Sequence, residues 1–158
     1  MKTCPGTWSP VGEHSHPLER YRDTAARGLK EEIYVESPEL QPIWKDAIFI
    51  HIRYGDGRVD YQWTKFFFCR LMTNNVTSFS RESSSVTFVP LNGMRTFITT
   101  RTHGGICDSM VKFEVRFTGD TAFRKMTYGD LLVNAFDRVD SIMEQDNEQN
   151  NVSTVNNV

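Results

Sequence analysis

The chain has 158 residues, of which 39% are hydrophobic, and this size and composition predict a single domain with a core of its own. No apolar run approaches the roughly 20 residues that a membrane-spanning helix needs, and the polar, proline-broken stretch from Met1 to Pro17 lacks the apolar segment of a secretion signal. Three cysteines at unrelated spacings support neither a disulfide framework nor a cysteine zinc site, so we expect a reducing, intracellular setting with no membrane or metal partner.

The net charge of −2 hides a separation of charge along the chain. From Leu40 to Met126 there are 12 Lys and Arg against 7 Asp and Glu, a net charge of +5, whereas the two flanking segments together carry −7. A basic centre between acidic ends is compatible with nucleic-acid binding by the centre. An ordinary solvated surface with polar tails explains the same charges equally well.

The N-terminal third predicts an arm, a short helix and a first strand. Residues 1–16 contain two prolines, two glycines and two histidines and are typical of a flexible arm. A helix is predicted from Pro17 to Gly28, and a second helical turn near residues 37–40. Between residues 47 and 54, isoleucines at alternate positions predict a strand with one apolar face.

The middle of the chain gives weaker signals. Gly55-Asp56-Gly57 ends the first strand, and residues 58–72 are apolar and aromatic at mixed spacing, which favours a helix over a strand. Residues 73–85 are rich in Ser, Thr and Asn and predict a loop. Two β-rich runs flank Asn92-Gly93, a dipeptide typical of hairpin turns, and predict a β-hairpin over residues 86–102.

The clearest pattern lies in the C-terminal third. Over residues 111–118 the odd positions are apolar and the even ones polar, which predicts a half-buried strand. Thr127 with Asp130 three residues later predicts a helix N-terminus, and apolar residues at helical spacing continue to Met143. The polar stretch 145–158 predicts a disordered tail.

Together these elements predict an α+β fold, a mostly antiparallel sheet with helices packed on one face, in a single domain over residues 17–144. The C-terminal helix can cover the apolar side of the last strand. The opposite, polar side of the sheet is then left open for a ligand.

Catalytic and metal-binding patterns are weak. His103, Cys107 and Asp108 lie within six residues, but a Gly-Gly turn between strands explains them without chemistry. His14 and His16 could hold a metal only with ligands from elsewhere. No phosphate-binding glycine loop, metalloprotease helix or paired-carboxylate signature occurs, so we expect a protein that is not an enzyme and needs no cofactor.

Two predicted strands independently carry basic residues on the face opposite their apolar side. The candidate binding residues are Lys45, His51 and Arg53 from the first strand, and Lys112, Arg116 and Thr118 from the last. Lys and Arg neutralise phosphates, and hydroxyls contact phosphate or ribose 2′-hydroxyl groups, a combination suited to recognising duplex RNA by shape. Glu114 in the middle of this face argues against a uniform phosphate track, and a solvated face with scattered charges is the alternative.

Two parts of the chain share a pattern with a known family. The matching positions are residues 113–119 followed by Thr127, Leu131 and Ala135 in a helix, and, upstream, Lys45, Arg53, Tyr54 and Arg58. In this order they resemble the last strand with the C-terminal helix, and the first strand with the helix after it, of the tombusvirus and aureusvirus RNA-silencing suppressors. The similarity covers residues 37–144, with 73–108 poorly matched.

The resemblance implies a homodimer, joined through the last strand and helix, whose continuous sheet cradles an RNA duplex. Small interfering RNA bound in this way is kept from the silencing machinery of the host cell cytoplasm. The side chains that would meet the symmetry mate are Phe113, Val115, Leu132, Phe136 and Val139. A protein-interaction module that inhibits a host silencing or defence factor without binding RNA is the alternative from a different class.

The chain departs from this family at the two tryptophans that stack on the duplex ends and measure its length. The comparable segment has Leu40 and Ile43, and Phe49 replaces a lysine of the family's first strand. Trp8 or Trp44 would have to substitute, although a core or loop position explains both. We therefore expect weak or no selection for duplex length.

Overall fold

The computed structural model of the chain describes residues 8–71, 86–99 and 111–155. Within these ranges the helices are α1 (Tyr21–Ile33), α2 (Met94–Thr99) and α3 (Tyr128–Val155), with a short 3₁₀ helix, Leu91–Gly93, directly before α2. The strands are β1 (Leu40–Pro42), β2 (Ile48–Tyr54), β3 (Val59–Thr64), β4 (Phe67–Cys69), β5 (Val111–Arg116) and β6 (Arg124–Met126). No helix in the described ranges is long and apolar enough to span a membrane.

The strands form two antiparallel sheets, which confirms the α+β class. The larger sheet has the strand order β3-β2-β5-β6, and the smaller one pairs β1 with β4. β2 and β5 therefore lie at the centre of the larger sheet, each with a partner on both sides.

α3 covers one face of the larger sheet, as the sequence predicts. Its Leu131 is fully buried against alternate residues of the two central strands. These residues are Ile48, Ile50 and Ile52 of β2 and Val115 of β5. Apolar side chains at every second strand position meet an apolar stripe on the helix, which removes both from water.

The predicted capping box begins α3. Asp130 donates its backbone N–H to Thr127 Oγ1 at 3.0 Å, and Thr127 donates its own to Asp130 Oδ2 at 3.1 Å. The helix continues through Val155, so the prediction of a disordered tail from residue 145 is wrong as far as residue 155. Once packing has nucleated a helix, each added residue gains a backbone hydrogen bond, and the Glu and Gln of this stretch are good helix formers.

Gly28 lies inside α1 instead of ending it. It is buried, and a Cβ at this position would lie 2.9 Å from the Cβ of Glu13. The missing side chain lets the end of the predicted arm lie against α1, where Arg27 donates to the carbonyl oxygen of His14 at 2.8 Å. The helix ends at Tyr34, whose φ of 58° turns the chain out of the helix.

Three predictions for the middle of the chain are wrong. Residues 58–72 contain β3 and β4 in place of a helix, because the turn at Gly57, with φ of 88°, sends the chain straight back along β2. The stretch predicted as a helical turn near residues 37–40 leads into β1. Asn92-Gly93 lies in the 3₁₀ helix, and neither residue has the positive φ that the expected hairpin turn requires. The predicted loop over residues 73–85 lies outside the described residues.

Candidate nucleic-acid interface

We call the face of the larger sheet opposite α3 the open face. The strand register places its side chains in three rows across β3, β2 and β5. The first row is Trp63, Phe49 and Arg116, the second is Tyr61, His51 and Glu114, and the third is Val59 and Arg53. Neighbouring rows lie about 7 Å apart along the strands, and neighbouring strands about 4.8 Å apart.

The register brings three of the six predicted binding residues to the open face: His51, Arg53 and Arg116. Lys112 is the register partner of Arg53, and its side chain lies outside the part of the chain that the structure describes. Arg53 and Arg116 are exposed and lie two rows apart on adjacent strands, which separates their backbones by about 14 Å. Lys45 and Thr118 are exposed but lie outside the strands, in the bend before β2 and the turn after β5. Strand alternation therefore does not orient these two side chains, and their role in binding stays a prediction.

The two arginines of the open face have no ion-pair partner among the residues that the structure describes. Within the described part of the chain, no carboxylate lies at ion-pairing distance from Arg53 or Arg116. Nearby Arg124, by contrast, donates to Asp120 Oδ1 at 2.7 Å, and this hydrogen bond holds the pKa of Asp120 below its ordinary value. Asp120 thus remains ionised and neutralises Arg124, whereas Arg53 and Arg116 have no such partner in the described chain.

Glu114 is engaged by its neighbours on the open face. Its Oε2 lies 3.1 Å from His51 Nδ1, and Lys125 of β6 is opposite Glu114 in the register. The His51 side chain is only 12% exposed, and its Nε2 is buried with no hydrogen-bond partner in the described chain. His51 therefore lies too deep for the direct phosphate contact that the sequence predicted, and Glu114 still argues against a uniform phosphate track on this face.

Sequence reasoning missed the aromatic half of the open face. Tyr61 and Trp63 of β3 are 63% and 58% exposed, whereas Asp60 and Gln62 of the same strand are partly buried on the side that α3 covers. β3 thus presents its rings outward and its polar residues inward, the reverse of an ordinary surface strand. The alternation of Val59, Tyr61 and Trp63 was the signal, but it is visible only once the segment is assigned as a strand.

The exposed rings of Tyr61, Trp63 and Phe123 form one connected group with the partly buried Phe49, and we call these four residues the aromatic cluster. Tyr61 stacks on His51, with ring centroids 4.7 Å apart and planes 12° apart. Phe49 lies 4.9 Å from Trp63 and 5.8 Å from Phe123 between ring centroids. The guanidinium carbon of Arg116 lies 5.7 Å from the Phe49 ring centroid and 5.5 Å from that of Phe123, so one free cation borders the cluster.

Most of the side chains predicted to contact a second copy pack against other residues of the same chain. Three of the five are buried in its own core: Val115, Leu132 and Val139. Phe113 is partly buried and stacks on Tyr128 at 5.5 Å, and burial raises the pKa of the Tyr128 phenol to about 12. Phe136 is partly buried beside α2. β5 is paired with β2 on one side and with β6 on the other, so the expected free edge of this strand is absent over residues 113–115.

The residues considered for stacking on the duplex ends pack within the chain. Leu40 and Ile43 are buried. Trp44 packs on Phe117 with ring centroids 5.3 Å apart, and Trp8 is partly buried beside other parts of the chain. The structure thus accounts for both tryptophans by packing.

The weak catalytic and metal patterns gain no support from the structure. His103, Cys107 and Asp108 lie outside the described residues. His14 and His16 are exposed, and the described ranges contain no group of three or more His, Cys, Asp or Glu side chains that could hold a metal ion.

Comparison of the chain with protein-family models, with curated proteins and with solved structures finds no match.

Proposed function

We propose that the chain binds double-stranded RNA on the open face, small interfering RNA duplexes included, and that it suppresses RNA silencing by sequestering them. The observation that carries the proposal is the pair of exposed arginines, Arg53 and Arg116, on the sheet face that α3 leaves uncovered. The viral origin and the biological role come from the sequence resemblance alone.

Phosphate contacts explain why such binding would be independent of sequence. Arginines that lie about 14 Å apart can meet phosphates on both sides of a groove, and phosphates carry no sequence information. Lys125 is exposed in the same sheet and adds a third cation close to this face. An A-form duplex presents the same backbone along its whole length, so no length selection follows from these contacts.

The proposal includes a homodimer. Its two copies pair through β3, whereas the resemblance implies pairing through the last strand and helix. β5 is internal, whereas β3 is an edge strand of six residues whose outer side has no partner strand in the described chain. An exposed strand edge pairs readily with a second copy. Two copies joined through β3 would place their open faces side by side.

A protein-interaction module is the second candidate, and the exposed aromatic cluster is the observation that favours it. Exposed apolar patches commonly mark protein-binding sites. This candidate predicts binding to a protein partner without salt-sensitive RNA binding.

One binding experiment separates the two candidates. An RNA duplex, a DNA duplex of the same sequence and the separate RNA strands are titrated with the protein at low and at high salt. The proposal predicts duplex RNA binding that weakens as salt rises. Absence of salt-sensitive duplex RNA binding at protein concentrations where a dimer exists would refute it.

A further inference from the structure

Phosphate binding leaves the aromatic cluster without a role. We propose that this cluster is a stacking site for unpaired nucleobases of an RNA strand, next to the phosphate-binding arginines. The inference rests on the proposed function for its choice of RNA, and it names the part of the RNA bound here: single-stranded ends or segments.

β3 carries its side chains in the reverse of the usual orientation. Folding alone favours burial of large rings and exposure of carboxylates and amides. In β3 the opposite holds, and Gln62 satisfies its partly buried amide by donating to Asp60 Oδ2 at 2.7 Å. Binding of a ligand to the Tyr61 and Trp63 rings would explain why they are exposed.

The cluster is held in place before any ligand arrives. Tyr61 lies nearly parallel to His51 beneath it, and the contact with Glu114 orients the His51 ring. Tyr61 is also nearly parallel to Phe49, with ring centroids 6.0 Å apart, and it remains 63% exposed, so much of its ring surface is open to solvent. A flat ring fixed in this way can receive a base with little loss of conformational freedom.

The spacing of the rings favours unpaired bases over a duplex. Tyr61 and Trp63 are two residues apart on one strand, a separation of about 7 Å between their backbones. Bases stacked in a duplex follow one another at about 3.4 Å per strand, so the two rings cannot each receive one of two successive stacked bases. Splayed bases of a single strand can, as they do on other four-stranded sheets with exposed aromatic residues.

The charge beside the rings matches a nucleic-acid strand. Arg116 borders the cluster and is exposed, and no carboxylate pairs with it in the described chain. Its guanidinium can therefore contact the phosphate that links two stacked bases. An apolar protein partner would instead have to bury this unpaired charge, which is costly.

The test compares a blunt RNA duplex, the same duplex with single-stranded extensions and an unstructured single strand. The variants are Tyr61→Leu and Trp63→Leu, which keep apolar bulk on β3 but remove the flat ring, with Tyr21→Leu on α1 as the matched control. We expect each β3 variant to lose at least about fivefold in affinity for the extended duplex and the single strand, the lower limit of one stacked base. Their affinity for the blunt duplex should stay within about twofold of wild type, and Tyr21→Leu should bind all three RNAs with wild-type affinity.

Trp63 fluorescence gives an independent readout. The single strand should quench wild-type emission, and Trp63→Phe should bind with little loss but without this quenching, whereas Trp8→Phe retains it. Equal wild-type affinity for the blunt and extended duplexes, with no Trp63 quenching, overturns the inference while the proposed function stands. If the wild-type protein binds none of the three RNAs, the proposed function itself is refuted. A shift to monomer in the Leu variants, without a change in RNA affinity, identifies a second copy as the occupant and also overturns the inference.

Discussion

Replacing Arg53 with Ala should weaken RNA binding without weakening the fold. The residue is exposed, and no ion pair is lost in the described chain, so the free energy of unfolding should change by no more than about 0.5 kcal/mol. If Arg53 contacts one phosphate, its removal lowers the slope of log affinity against log salt by about 0.9. When salt rises fourfold, from about 50 to 200 mM, the ratio of wild-type to variant RNA affinity should then fall by about 3.5-fold.

Fluorescence anisotropy with two duplexes of unrelated sequence measures this slope. Arg20→Ala removes an arginine that is also exposed to solvent but lies at the start of α1 and pairs with Asp23 at 2.8 Å, so the slope of this variant should match wild type. An unchanged slope for Arg53→Ala, or a loss of affinity for only one of the two sequences, would refute the assignment of Arg53 to phosphate.

Three further predictions concern the fold that holds the open face. Leu131→Ala removes a fully buried side chain between α3 and the sheet and should cost about 2–5 kcal/mol in urea unfolding, and a cost below about 1 kcal/mol would contradict the described core. Thr127→Ala should cost about 0.5–2 kcal/mol because the N–H of Asp130 loses its acceptor, whereas Thr127→Ser should retain most of the stability. Tyr128, with its pKa raised to about 12, stabilises the fold fully below its ordinary pKa of about 10 and loses that contribution as pH rises through 12. Tyr128→Phe should therefore lose less stability than wild type between these two pH values, and equal losses would show that the phenol is not buried.

The central strands and α3 were predictable because burial and polarity agree there. Ile48, Ile50 and Ile52 are buried and alternate with less buried residues, and the capping box of Thr127 and Asp130 marks the helix start. In each case the local pattern and the tertiary packing favour the same structure.

β3 was not predictable in the same way because its apolar side faces water. A strand whose rings are exposed gives the same sequence pattern as one whose rings are buried. The exposed cations of Arg53 and Arg116 follow from strand alternation, whereas the aromatic cluster depends on the pairing of β3 with β2, a nonlocal property. The prediction that Gly28 ends the first helix was wrong for a related reason. The contact that requires a glycine there is with Glu13, which lies outside the helix.

The most direct test of the open face as the RNA-binding surface is the NMR signal of the tryptophan indole N–H groups. Trp63 lies on the open face, whereas Trp44 packs against Phe66 and Phe117 on the core side. Titration with an RNA duplex carrying single-stranded extensions should shift or broaden the Trp63 signal and leave that of Trp44 unchanged, with assignments from single Trp→Phe variants. Saturated RNA binding with an unchanged Trp63 signal would contradict the account.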